Sequence, residues 1–95
     1  MGIKRNLRMS RDQKHQLRRL AAHRDMTMQA VVHEIIDDYA EGKIPTYAGA
    51  PSPFDTDFGI EVPGTYGAAL LRAENHGASL VEVVRAEIEL RWKAA

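Results

Sequence analysis

One pattern is written twice in this chain: a short alternating segment followed by two helical stretches. In the first copy Ile3-Lys4-Arg5-Asn6-Leu7-Arg8-Met9 alternates, with Ile3, Leu7 and Met9 on one side and Lys4, Asn6 and Arg8 on the other. That period of two predicts a strand with one polar face. Ser10 is the residue type that caps a helix, because its hydroxyl accepts from an orphan backbone N–H. Asp12 then suits the positive first turn. Leu17, Leu20 and Ala21 predict a helix with a thin apolar stripe, ending near Ala22 or His23. Arg24-Asp25-Met26 reads as a break and Thr27 as the next cap. Met28, Val31, Val32, Ile35, Ile36 and Tyr39 follow at full amphipathic spacing, and Gly42 is a natural stop.

The second copy repeats the plan. Phe58, Ile60 and Val62 alternate with Gly59 and Glu61, and Pro63 reads as a first-turn helix residue. Tyr66, Ala69, Leu70 and Ala73 keep helical spacing until Asn75-His76-Gly77. Ser79 caps the last helix, with Glu82 completing a capping box. Its apolar face is Leu80, Val83, Val84, Ile88 and Trp92. Met9 to Thr27 spans 18 residues and Val62 to Ser79 spans 17, so the spacing is that of a repeat.

A lone strand is not stable, and about 40 residues rarely bury enough core to fold. Each copy therefore needs a partner that brings its own strand. The expected fold is mainly α with short β (α+β): a two-stranded antiparallel ribbon packed on four helices. Residues 1–42 form the first repeat, 43–56 a Pro-rich linker and 57–95 the second repeat. The linker reaches about 45 Å at ~3.3 Å per residue, so the repeats can pair within one chain or between chains. Covalent linkage favours pairing within the chain, at an effective concentration of roughly mM.

The formal net charge is zero, but the charges are sorted along the chain. Residues 1–24 carry eight basic residues and one acidic, residues 25–42 carry five acidic and none basic, and residues 43–95 carry five basic and seven acidic. Such a gradient points to a local electrostatic task at the N-terminal end. There is no cysteine, which excludes a disulfide framework and a thiolate nucleophile or metal ligand. No apolar run reaches the ~18–20 residues of a membrane span, and no signal segment follows the basic start. The chain is read as cytoplasmic, with no membrane partner. His15, His23, His33 and His76 lack metal-ligand spacing, Gly59, Gly64 and Gly67 do not form a phosphate-binding loop, and no nucleophile stands in a recognisable context. No metal, cofactor or enzymatic activity is expected.

The candidate functional residues follow from the strand and the second helix. Lys4, Asn6 and Arg8 are the residue types that pair with guanine and adenine edges in the major groove, which admits a two-stranded ribbon. The plainer reading is a solvated strand face. Thr27, Met28 and Gln29 open a helix whose first N–H groups can hold a phosphate, or simply form a cap. Arg11, Lys14 and Arg18 share one stripe of the first helix, and Glu34, Asp37, Asp38 and Glu41 read as a water-facing cluster on the second.

Asn6-Leu7-Arg8-Met9-Ser10, the thin first helix, and Thr27 opening a strong second helix together resemble the ribbon–helix–helix DNA-binding family of the Arc and methionine repressors. The tandem copy is similar to TraY-type variants. The resemblance covers residues 2–42 well and 57–93 more loosely. It implies a transcriptional repressor that binds double-stranded DNA in the nucleoid and self-associates, either within the chain or as a homodimer. It further implies base reading by Lys4, Asn6 and Arg8 and phosphate contacts by Thr27, Met28 and Gln29; Arg5, off the family pattern, is expected to turn out to a phosphate instead. Gly59, Glu61 and Ser79 are the corresponding second-repeat positions. Two departures bear on that expectation. Arg5 stands where the family places an apolar residue, and the outward Asp57 and Glu61 are repelled by phosphates. An alternative is an antitoxin-type or plasmid or phage accessory protein, whose C-terminal repeat engages a protein partner.

Overall fold

A computed structural model describes residues 3–47 and 56–94. The elements run β1 (Lys4–Met9), α1 (Arg11–His23), α2 (Met28–Ala40), β2 (Thr56–Glu61), α3 (Tyr66–Asn75) and α4 (Leu80–Ala94). β1 and β2 form a two-stranded antiparallel sheet. The strand partner that β1 requires is therefore supplied by the same chain. Of the expected linker, residues 48–55 lie outside the described residues, while Ile44 and Tyr47 pack against the core. None of the described helices is long and apolar enough to cross a membrane.

Local chemistry sets the helix boundaries. Ser10 Oγ accepts from the Gln13 N–H at 3.1 Å, and the Gln13 side chain accepts from the Ser10 N–H at 2.9 Å. This reciprocal pair satisfies two donors that would otherwise be orphaned at the start of α1. Thr27 Oγ1 accepts from the Ala30 N–H at 3.0 Å and Ser79 Oγ from the Glu82 N–H at 3.2 Å. α3 is the exception. Pro63 is not in its first turn: Pro63, Gly64 and Thr65 make a separate turn, closed by the Tyr66 N–H donating to Pro63 O at 3.0 Å. Thr65 makes no side-chain cap, because its hydroxyl donates instead to Asp37 Oδ1 on α2.

The two interhelical turns are built from the same bonds. Asp25 and Gly77 both have positive φ, +54° and +70°. The Met26 N–H reaches Ala21 O at 2.8 Å, and the Ala78 N–H reaches Ala73 O at 2.9 Å. Asp25 and Gly77 likewise donate to Ala22 O and Glu74 O. Aligned on these turns, Leu17, Ala21, Val31, Val32 and Ile36 correspond to Ala69, Ala73, Val83, Val84 and Ile88, and all ten are buried. Leu7, Met9 and Ile60 add the inner sheet face. α1 packs on α4 and α2 on α3, so each unit covers the other.

Of the acidic cluster expected to face water, Glu41 is exposed and pairs with Lys43, but Glu34, Asp37 and Asp38 are half-buried. Glu34 pairs with Arg24 and Arg91, Asp38 pairs with Arg91, and Asp37 accepts from Thr65. They hold the second unit onto the first rather than facing water. The expected linker is also pinned at its start. Arg72 stacks over the Tyr39 ring, 4.3 Å from its centroid, and donates to Tyr39 O and Ile44 O.

Candidate nucleic-acid interface

The alternation of β1 sends Leu7 and Met9 into the core, where they are buried, and leaves Lys4, Asn6 and Arg8 exposed. Pairing across the ribbon sets Lys4 opposite Glu61, Asn6 opposite Gly59 and Arg8 opposite Asp57. The outer face is thus one basic strand beside one acidic strand. Asn6 and Gly59 sit at its centre, and a Cβ on Gly59 would stand only 3.3 Å from Asn6 Oδ1. Glycine therefore leaves room for the Asn6 carboxamide to lie across the strands. Arg5 falls opposite Ile60, in line with the core-facing residues, yet it is exposed at the start of the strand.

Arg8 Nε approaches Asp57 Oδ1 at 3.3 Å, with the side chains 68% and 50% exposed. A pair so open to water contributes little, ~0–1 kcal/mol. Arg8 is held lightly enough to exchange Asp57 for another acceptor. Lys14 Nζ, from α1, donates to Asp57 O at 3.1 Å, which brings a further cation to the same edge.

Two side chains from the helices behind brace the strands. His33 Nε2 lies 2.6 Å from Glu61 O, and Arg85 Nη1 donates to Arg8 O at 3.0 Å. A bond to a carbonyl requires His33 to carry its hydrogen on Nε2. Burial pulls the Arg85 guanidinium below its ordinary pKa, against the effect of Glu82.

At the start of α2, the Met28 and Gln29 N–H groups have no acceptor within the helix, as in any first turn. Met28 is half-buried against the core. Gln29 Oε1 accepts from the Glu61 N–H at 2.9 Å. That contact fixes the carboxamide beside the end of β2 and turns its NH2 group into the available donor. The corresponding start of α4 has Ser79 as its cap but carries Glu82 in the first turn. A carboxylate there already answers the helix dipole and repels a phosphate. The sequence-derived residues therefore converge on the first unit: Lys4, Asn6 and Arg8 on the ribbon, and Thr27, Met28 and Gln29 at the α2 terminus. Gly59 and Glu61 share the ribbon face, and Ser79 serves its own helix.

The apolar stripes gave no sign that Gln13, Arg85 and Glu87 are buried. For Gln13 the signal was present as Ser-x-x-Gln, a capping box. For Glu87 it was the i,i+4 spacing to Arg91, which pairs with it at 2.9 Å. No family model matches this chain, and neither the curated proteins nor the solved structures contain a match to it.

Proposed function

We propose that this chain is a sequence-specific double-stranded DNA-binding protein of tandem ribbon–helix–helix architecture, acting as a transcriptional repressor. It lays the outer face of β1 and β2 in the major groove. The observation that carries this reading is the strand pairing: it closes a two-stranded ribbon within one chain and exposes Lys4, Asn6 and Arg8 together on its outer side. The matching turns and the paired braces from His33 and Arg85 support the tandem architecture. Arg8 and Lys4 supply donors for guanine, and Asn6 supplies the donor–acceptor pair for adenine. The free N–H groups of Met28 and Gln29 suit the flanking phosphate.

Because Asp57 and Glu61 occupy the other strand, the first unit dominates and the preferred site lacks two-fold symmetry. Arg8→Ala is expected to lose ~1–3 kcal/mol of discrimination between a duplex selected from a randomised pool and a scrambled one. An unchanged affinity ratio removes Arg8 from base reading, and failure to enrich any duplex removes the proposal.

A second reading has its own observation. Of the three exposed large apolar side chains among the described residues, Leu71 and Leu90 both lie on the second unit. They suit an antitoxin-type or accessory role in which α3 and α4 meet a protein partner.

A further inference from the structure

α1 and the end of α4 border an open groove of about 670 Å³, within the size range of small-ligand sites. It is lined by His15, Arg18, Arg19, Ala22, His23 and Trp92, with no carboxylate. The Arg19 guanidinium lies over the indole, 5.7 Å from its centroid. His15, Arg18 and His23 have no hydrogen-bond or ion-pair partner among the described residues. A neighbouring concavity shares His15 and Arg18 and continues the groove toward Thr56, where Asp12 joins its lining.

Trp92 packs partly against the core, but the second unit builds the same turn without the polar residues of this groove. Aligned on the matching turns, His15, Arg18, Arg19, Ala22 and His23 correspond to Gly67, Leu70, Leu71, Glu74 and Asn75 on α3, and Trp92 corresponds to Ala40. Leu17 and Ala21 of α1 are matched in α3 by the buried Ala69 and Ala73, whereas the cations and imidazoles that line the groove have no counterpart there. The chemistry left over is a flat π surface backed by a guanidinium, beside an unpaired Arg and two imidazoles. Cations alone would suit any anion. The indole–guanidinium layer adds a preference for a planar one.

We infer that this groove binds a nucleotide unit, with the base against Trp92 and Arg19 and the phosphate on Arg18, His15 and His23. The unit is either a free nucleotide or one residue of a single strand. The site shares no residue with the outer face of the ribbon and does not depend on duplex recognition.

Trp92 is the only tryptophan of the chain, so its fluorescence reports occupancy of the groove. The full chain is titrated with an oligothymidylate of about 12 nucleotides, within single-strand site sizes, and separately with thymidine monophosphate. A hairpin duplex and a polyglutamate peptide are the remaining probes. Saturable quenching by a nucleotide probe is expected, weakened about tenfold or more by Arg18→Glu and unchanged by Arg8→Ala. Arg18 is exposed, and circular dichroism verifies that the variant stays folded. Oligomer binding at least tenfold tighter than the mononucleotide assigns the groove to a strand, and equal affinity assigns it to a free nucleotide. Absence of quenching by both, equal quenching by polyglutamate or the hairpin, or an unaltered Arg18→Glu titration overturns the inference. Arg8→Ala binding to duplex tests the ribbon separately, so the two readings can fail independently.

Discussion

The two strand–helix–helix units share a scaffold and differ in what they place on it. Their turns use the same hydrogen bonds, and their buried positions largely correspond. Outside those positions they are opposites. β1 presents Lys4, Asn6 and Arg8 where β2 presents Asp57, Gly59 and Glu61. α2 begins with a half-buried Met28 and no acidic residue in its first turn, whereas α4 begins with Glu82. Inside the molecule, Ile35 and Tyr39 of α2 correspond to Glu87 and Arg91 of α4. Arg91 reaches Glu87, Glu34 and Asp38 at 2.9–3.1 Å. Burial opposes its charge, yet the bonds to Glu87 and Asp38 outweigh that and hold its pKa above the ordinary value. A second copy of α4 could not supply Glu34 and Asp38. The network therefore suits pairing of unlike units, and the asymmetry reaches from the core to the surface.

The largest expected effect comes from separating the units. Residues 1–47 alone lose the partner of β1 and the cover over α1 and α2, so circular dichroism should show little cooperative structure. A well-folded homodimer at micromolar concentration would break the comparison, because the first unit would then serve as its own partner. Next in size, Arg91→Ala leaves Glu87 buried without its cation. It should destabilise by ~3 kcal/mol in urea unfolding, near the low end for a broken buried pair because Arg91 keeps some exposure. A loss below ~1 kcal/mol would show that the network does not select the pairing. The smallest effect sharpens the surface contrast. Asp57→Asn removes a carboxylate beside Arg8, so duplex affinity should rise several-fold at low salt and the gain should fade as salt screens it. No change would mean that Asp57 does not face the phosphates.

Much of the fold was legible because local chemistry agreed with periodicity. The stripe from Met28 to Tyr39, the caps at Ser10, Thr27 and Ser79 and the stops at Gly42 and Gly77 each rest on residues close in sequence. α3 was less legible. Pro63 suits a helix start, but Thr65 gives its hydroxyl to Asp37, 28 residues away in sequence, and the helix begins later. The acidic residues of α2 looked solvated for the same reason: their cations, Arg24 and Arg91, are neighbours only after folding. On the candidate ribbon face, sequence showed which residues point outward. Trp92 has the spacing of a core residue and does pack against the core, but only partly, and nothing local shows that it also borders a groove with α1.

The amino-acid order alone determined that two strand–helix–helix units exist, where α1, α2 and α4 are capped and which strand is basic. Those properties depend on contacts a few residues apart. Only the tertiary structure decided that the strands pair within one chain, that Lys4 and Arg8 each face a carboxylate while Asn6 faces Gly59, and that α2 and α4 are joined through Arg91. Those are meetings between residues far apart in sequence, set by how two imperfectly matched apolar surfaces close over each other.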